Sequence, residues 1–316
     1  MQSLTAASVA SLQSVDLLVQ RRELLAAYRP PALRSGRVDR VTEERLTIVP
    51  QANTVFFGPV GSGKSSLIGS LCRAVKDESE FPERIARLLH HNPHRQQGGD
   101  THGTLKWMET KGNRAGTIVY QDTRGDQAFD RRERVVHTQA LRGFFRDDMP
   151  LDQHHIFSSY WWSERFFWER SLDVIPHAVV FVFDGSLEPF VAGESLPFFK
   201  RVFEDCTGFG YEPIVVITCL DLIHQNAIIK GSNFDVERSN KADLILAEFD
   251  HLNLKKSDIY FVTNFHERRG GRLWSSDDEG FHKATKEFVD LAVELTKVAN
   301  RFIKRRADAN HVCTVS

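Results

Sequence analysis

The residues most able to do chemistry form one short stretch, Gly58-Pro59-Val60-Gly61-Ser62-Gly63-Lys64-Ser65, with Ser66 beside it. The stretch fits the pattern G-x-x-x-x-G-K-[ST], which forms a loop that binds phosphate groups. Its glycines allow successive backbone N–H groups to point into one concavity, and a following helix adds the positive end of its dipole. Lys64 would reach the β- and γ-phosphates of a nucleotide, and Ser65 would ligate a Mg²⁺ ion that bridges them.

The flanking sequence predicts the elements that such a loop needs. Thr54 to Phe57 is a largely apolar run that predicts a buried strand before the loop. The apolar periodicity from Lys64 to Val75 predicts a helix after it. Because strand, glycine-rich turn and helix follow in this order, we interpret the stretch as a phosphate loop rather than as a turn that only closes a strand onto a helix.

A second motif could complete a metal site. Asp122-Thr123-Arg124-Gly125 follows a short predicted strand, and a strand that ends in Asp-x-x-Gly supplies a Mg²⁺ ligand and a glycine N–H for the γ-phosphate. A surface turn with this sequence is the alternative interpretation. A loop threonine would add its hydroxyl to the metal shell. Thr101 and Thr104 are both candidates, and the nearby glycines favour Thr101. We therefore predict that Mg²⁺ is held by Ser65, Asp122 and Thr101.

A third motif bears on the choice of base. Thr218-Cys219-Leu220-Asp221 follows a buried apolar run and has the spacing of the Asn/Thr-Lys-x-Asp motif, in which the Asp accepts hydrogen bonds from guanine N1–H and N2–H₂. Asp221 therefore favours guanine. Cys219 stands where that motif has a lysine that covers the base, so adenine remains open. A polar strand end or helix cap is the alternative interpretation. The next strand ends at Val262-Thr263-Asn264, and we expect Asn264 to line the other edge of the base.

These motifs together resemble the interferon-induced protein 44 family of GTPase-like proteins. The resemblance covers about residues 20 to 300 in order and implies a Ras-like domain that binds GTP or GDP, a cytoplasmic setting and a role in innate immune or antiproliferative responses. The family leaves turnover of the nucleotide undefined. The likeness rests on Arg22-Glu23-Leu24-Leu25, Tyr28-Arg29-Pro30, Phe57 to Ser66, Val180 to Asp184, Thr218 to Asp221 and Val262 to Asn264.

The residue after Asp-x-x-Gly bears on hydrolysis. Ras-type enzymes orient the attacking water with a Gln at this position, whereas this chain has Asp126 there and Gln127 one residue later. A carboxylate that faces the γ-phosphate repels it unless it is protonated or bound to a metal. With Lys64 and Thr101 as the candidate catalytic residues, we expect slow or partner-stimulated GTP hydrolysis. A hydrolysis-deficient scaffold that binds nucleotide is the alternative.

The order of the remaining patterns predicts the architecture. Continuous apolar runs at 178–183, 214–217 and 259–262 are typical of strands buried on both faces, and helical segments near 196–203, 241–252 and 281–303 alternate with them. This alternation predicts a three-layer α/β P-loop NTPase fold, with a Ras-like, mostly parallel sheet and helices on both faces. We expect an N-terminal helical extension over residues 1–44, the P-loop domain over 45–306 and a flexible tail over 307–316.

Composition and the C-terminus limit the classes of partner. The chain has 316 residues and a net charge of −1, so no overall positive field favours nucleic acid. An aromatic cluster over residues 157–168 predicts a core or a surface for a protein partner or a second copy of the chain. Cys313-Thr314-Val315-Ser316 fits a prenylation motif after a basic segment, so membrane association through Cys313 stays open beside the cytoplasmic setting.

Overall fold

The computed structural model describes residues 6–34, 46–76, 108–123, 125–145, 172–186, 195–219, 223, 227–229, 231–249, 254–263 and 279–315. Within these ranges the helices are α1 (Ala6–Ala26), α2 (Lys64–Val75), α3 (Arg131–Leu141), α4 (Ser195–Gly208), α5 (Phe234–Glu248) and α6 (Glu279–Val315). The strands are β1 (Ala32–Arg34), β2 (Leu46–Ile48), β3 (Ala52–Phe57), β4 (Met108–Lys111), β5 (Ile118–Asp122), β6 (Ala178–Asp184), β7 (Ile214–Thr218) and β8 (Ile259–Phe261).

Six of these strands form the central sheet, in the order β4-β5-β3-β6-β7-β8. All neighbouring pairs are parallel except β4 and β5, which form an antiparallel hairpin. The chain leaves β3 to build β5 on one side and later β6 on the other, so the strand order reverses at β3. In open α/β sheets, ligands bind at the carboxyl ends of the strands beside such a reversal. The predicted α/β fold with a mostly parallel sheet is confirmed.

Each face of the sheet carries its own apolar core. Helices α1, α2 and α6 cover one face, where Phe56, Val180 and Val216 are fully buried. Helices α3, α4 and α5 cover the other, where Phe57, Phe181 and Ile217 are fully buried. Consecutive strand residues thus serve opposite faces, which explains why the sequence reads as uninterrupted apolar runs.

Two predicted boundaries differ from the structure. The strand predicted from Thr54 to Phe57 begins earlier, at Ala52, and β2 before it pairs antiparallel with β1 in a separate two-stranded sheet. The last helix extends to Val315, so the expectation of a flexible tail over 307–316 is wrong for residues 307–315. No Gly or Pro ends the helix after residue 306, and Ala307 packs against Ile303 and Val49.

The first helix and the residues that follow it contact α2 and α6. Arg22 Nε donates to Ala74 O at the end of α2 over 2.6 Å. Tyr28 Oη donates to Asn300 Oδ1 in α6 over 2.6 Å, and Arg21 forms an ion pair with Asp290 of the same helix.

None of the helices in the part of the chain that the structure describes is long and apolar enough to span a bilayer.

The turn between β4 and β5 completes this docking through one buried amide. Asn113 is 1% exposed, and its Nδ2 donates to Leu25 O in α1 over 2.8 Å. Its Oδ1 accepts from the N–H groups of Thr117 (2.9 Å) and Ile118 (3.1 Å). A single side chain therefore fixes the hairpin turn and holds the end of α1 against it.

Replacing Asn113 should destabilise the whole domain. Asn113→Ala leaves the buried N–H groups of Thr117 and Ile118 without this acceptor and removes one of the donors to the Leu25 carbonyl. We therefore expect the free energy of unfolding to fall by about 2–4 kcal/mol. Denaturant unfolding followed by circular dichroism measures this change. Asn240→Ala, at an exposed position of α5, is the matched control and should change stability by less than about 0.5 kcal/mol. Equal effects of the two variants would contradict the assignment.

A buried histidine should make stability depend on pH. His177 Nδ1 accepts from Asn53 N over 2.9 Å and its Nε2 donates to Leu172 O over 2.5 Å, which is the pattern of the neutral ring. Burial lowers the pKa of His177 to about 4. At pH values between this folded pKa and the pKa of about 6.5 that a histidine has in an unfolded chain, the unfolded chain binds a proton that the folded chain does not. Stability therefore decreases as the pH falls through the unfolded pKa towards the folded one.

We expect His177 to contribute about 2 kcal/mol to the loss of unfolding free energy between about pH 7 and pH 5. The measurement is a denaturant titration at both pH values, compared with His177→Gln, whose amide offers a donor and an acceptor but does not titrate. The variant should show a smaller loss by about that amount. An unchanged pH dependence in the variant would show that folding does not lower the pKa of His177.

Candidate functional site

The predicted phosphate loop connects β3 to α2 at the carboxyl edge of the sheet. Gly58, Gly61 and Gly63 have φ values of 149°, 82° and 86°, a region that side chains disfavour. A Cβ atom added to Gly58 would lie 2.2 Å from Val182 O, so the loop also lies directly on β6. These glycines give the loop the curvature that the motif predicts, and the N-terminus of α2 follows immediately at Lys64.

Lys64 is held over this loop by the loop's own backbone. Its Nζ donates to Gly58 O over 2.9 Å and to Pro59 O over 2.8 Å, and the side chain is 6% exposed. Burial lowers the pKa of Lys64, whereas the charges of Asp122 and Asp126 act to raise it. The ammonium group is thus oriented at the loop before any anion binds, which reduces the entropy lost on binding.

Ser65 and Asp122 form the candidate metal site. Ser65 Oγ donates to Asp122 Oδ2 over 2.5 Å, and Asp122 is 1% exposed at the end of β5. One hydroxyl and one carboxylate are hard oxygen donors of the type that Mg²⁺ uses together with waters and phosphate oxygens. Nowhere in the described ranges do three His, Cys, Asp or Glu side chains gather as a metal site. The third predicted ligand, Thr101, lies outside the residues that the structure describes.

Thr218, the first residue of the predicted base motif, contacts the phosphate loop. Its Oγ1 lies 2.9 Å from Ser62 O and 3.2 Å from Phe183 O, and the residue is fully buried. The hydroxyl therefore ties β7 to the loop and to β6. Cys219, next in the chain, adopts a positive φ of 58° and is half-buried. Asp221 and Asn264, predicted to recognise the base, are not among the described residues.

The Asp-x-x-Gly motif packs directly on the phosphate loop. Asp126 N donates to Gly58 O and Asp126 O accepts from Val60 N, each over 3.1 Å, so the two segments form a short parallel bridge. A Cβ atom at Gly125 would lie 2.6 Å from Val60 Cα, and no other residue fits there without a shift. The predicted neighbours Ser65, Asp122 and Gly125 are thus brought to one place.

The side chain of Asp126 does not follow the expectation that it faces the γ-phosphate. Its Oδ1 lies 2.8 Å from His137 Nε2, and both side chains are less than 5% exposed. The His137 ring stacks on Phe57, the last residue before the loop, with centroids 4.3 Å apart and planes at 9°. The carboxylate is therefore directed into the core, because a buried hydrogen-bond partner is present there.

The link between this segment and α3 is also fixed. Glu133 accepts from the backbone N–H groups of Gln127, Ala128 and Phe129 over 2.7–3.2 Å. Asp130 caps the helix by accepting from Arg132 N and Glu133 N. Sequence reasoning missed His137, because no motif marks it; its only signal is a histidine four residues after Glu133, on the buried face of the helix.

The site therefore combines a glycine-rich loop at the start of a helix, a buried ammonium group and a pair of hard oxygen donors. No protein-family profile and no curated protein matches the chain. The chain is similar to a crystal structure of sup35 complexed with GDP, with a TM-score of 0.33 and 12% identity. The match covers 74% of this chain and 42% of that one, so the chain spans less than half of that protein. At this level the similarity does not bear on function, and the fold assignment rests on the observed strand order.

Proposed function

We propose that the protein is a guanine-nucleotide-binding switch protein whose binding depends on Mg²⁺ and whose GTP hydrolysis is slow or partner-stimulated. The observation that carries this proposal is the juxtaposition of Lys64, Ser65 and Asp122 at the end of a glycine-rich loop. Lys64 Nζ lies within 2.9 Å of two loop carbonyls, and the Ser65 hydroxyl lies 2.5 Å from the Asp122 carboxylate. This is the arrangement that a nucleoside polyphosphate with a bridging Mg²⁺ requires.

The metal would enter between the two oxygen donors. Ser65 and Asp122 would ligate it, displacing the hydrogen bond between them, and Thr101 is the proposed third ligand. A bound Mg²⁺ would neutralise part of the phosphate charge. The chain itself contributes the Lys64 ammonium, the backbone N–H groups of the loop and the dipole of α2.

Guanine is the proposed base because of Thr218 and the sequence that follows it. Thr218 contacts the phosphate loop at Ser62, and this contact supports a nucleotide position that spans the loop and the Thr-x-x-Asp sequence. Asp221 is the proposed acceptor for the guanine N–H groups, and Asn264 the proposed residue at the other edge. The family resemblance extends the proposal to a cytoplasmic role in innate immunity, and a protein partner or second copy of unknown identity is part of it.

A nucleotide-binding scaffold without hydrolysis is the second candidate. The observation that favours it is the pairing of Asp126 with His137, because this buried hydrogen bond directs the side chain at the water-orienting position into the core. In such a scaffold the nucleotide would stabilise one shape of the domain without being consumed.

Loss of Lys64 should abolish tight nucleotide binding. We expect Lys64→Ala to weaken the affinity for GTP with Mg²⁺ by about 10–100-fold, because a hydrogen bond to a charged group contributes about 1.5–3 kcal/mol. Isothermal titration calorimetry measures the affinity, and competition by ATP tests the base. Lys297→Ala removes an exposed lysine of α6 and should bind as the wild type does. Equal competition by ATP and GTP would contradict guanine selectivity.

Ser65→Ala should remove the dependence on the metal. The wild-type protein should bind GTP more tightly with Mg²⁺ than with a chelator, whereas the variant should bind equally under both conditions, because one of the three proposed side-chain ligands is missing. The same titration in the two buffers measures this. A variant that keeps the full response to Mg²⁺ would place the metal elsewhere.

Asp126→Gln distinguishes a slow enzyme from a scaffold. The Asp126 carboxylate pairs with His137 in the core, whereas the longer, neutral glutamine amide pairs with it less strongly and can turn towards the nucleotide to orient the attacking water. A switch protein should therefore release phosphate from GTP about tenfold faster or more after this change. Single-turnover phosphate release measures the rate, and Asp130→Asn, which keeps the cap of α3, is the control. Tight GTP binding without phosphate release by either variant or the wild type would favour the scaffold.

A further inference from the structure

A buried lysine on α5 lies beside the end of the sheet where the base is proposed to bind. Lys241 is 6% exposed, and its Nζ donates to Gly185 O over 2.8 Å. Burying an ammonium group is costly unless hydrogen bonds replace its hydration, so a lysine here favours a structure in which the Gly185 carbonyl stays in place. No motif in the sequence marks this residue.

Gly185 is the point at which β6 contacts the end of β7. Its N–H donates to Thr218 O over 3.1 Å. A Cβ atom added to it would lie 2.6 Å from Ile223 Cδ1 and 2.7 Å from both Ile217 Cγ2 and Thr218 O. The residues on either side of the proposed base-recognition sequence therefore rest directly on this glycine.

The neighbouring turn is itself fixed. Asp184 Oδ1 accepts from Ser186 N over 2.8 Å and from Ser186 Oγ over 2.7 Å, which holds the backbone on both sides of Gly185. At the other end, the Thr218 hydroxyl contacts Ser62 O in the phosphate loop. A continuous series of hydrogen bonds thus runs from the Lys241 ammonium through Gly185 and Thr218 to the phosphate loop.

This series of hydrogen bonds reaches the end of β7, where the sequence departs from the usual base-recognition motif. The Thr-x-x-Asp sequence lacks the lysine that usually lies in it, and Cys219, with a strained positive φ of 58°, occupies that place. A backbone strained in this way persists only where its surroundings hold it. Lys241 of α5 supplies a cation that holds Gly185 O, and the Gly185 N–H in turn donates to the carbonyl of Thr218, the residue before Cys219.

We propose that Lys241 is a positioning residue for base selectivity, which acts by fixing Gly185 and, through it, Thr218 and Cys219 at the end of β7. This inference rests on the proposed function, since it requires that a guanine nucleotide binds at the loop. Lys241 itself contacts the protein backbone and is not proposed to contact the nucleotide. Its effect is therefore expected on the choice of base and not on the binding of phosphates.

The test compares the full-length wild type with Lys241→Met, which keeps the length of the side chain but removes its donor. Dissociation constants are measured for GDP, ADP and inorganic pyrophosphate in the presence of Mg²⁺. We expect the variant to bind GDP about tenfold more weakly, because Gly185 and the end of β7 lose the hydrogen bond that holds them in the position required for base recognition. Its affinities for ADP and pyrophosphate should stay within about twofold of the wild type. Lys256→Met removes an exposed lysine that also contacts α5, and it should keep the wild-type ratio of GDP affinity to ADP affinity.

A second variant reaches the same contact from the opposite side. Gly185→Ala introduces the Cβ atom that would press on Ile223 and Thr218, and it should lower the ratio of GDP to ADP affinity as Lys241→Met does. If one variant does not fold, the other decides. A wild-type ratio in the folded variants, or an equal loss for all three ligands, would overturn the inference. A wild type that binds neither nucleotide, or shows no preference for GDP, would instead overturn the proposed function.

Discussion

The carbonyl oxygen of Gly58 holds the two halves of the site together. It accepts a hydrogen bond from the Lys64 ammonium on one side and from the Asp126 N–H on the other. Since Lys64 belongs to the phosphate loop and Asp126 to the segment after β5, this one acceptor couples the position of the cation to the position of the Asp-x-x-Gly motif. A shift of either segment changes the environment of the same oxygen, so the loop and the motif cannot be rearranged independently.

Two departures from the usual motifs have the same kind of structural compensation. Asp126 stands where a glutamine would orient water, and its carboxylate forms a hydrogen bond with His137 of α3. Cys219 stands where a lysine is usual, and Lys241 from α5 contacts the strand end nearby. In both cases a helix on the same face of the sheet provides a buried polar group to the carboxyl edge. The polar groups beneath the loop are therefore part of the core of that face, where hydrogen bonds are stronger than in water.

Local signals explain which parts of the fold the sequence could predict. The helix from Lys64 to Val75 and the strand ending at Asp122 depend on neighbouring residues, and both agree with the structure. His137 and Lys241 could not be found in this way, because their partners lie 11 and 56 residues earlier in the chain and meet them only after the helices pack. The pairing of β1 with β2 involves three residues on each side, too few for a periodic pattern. The roles of Thr101, Asp221 and Asn264 remain predictions from sequence.

The docking of α1 also constrains the order in which the chain acquires its structure during synthesis. The carbonyl of Leu25 meets Asn113 across 88 residues, and Tyr28 meets Asn300 across 272. The contacts of this segment therefore cannot be completed until α6, which is made much later, has left the ribosome. Contacts so distant in sequence carry a large loop-closure entropy and form late. Until then the apolar side of α1 that α6 covers is exposed to the surroundings, where it is open to chaperones and to other nascent chains.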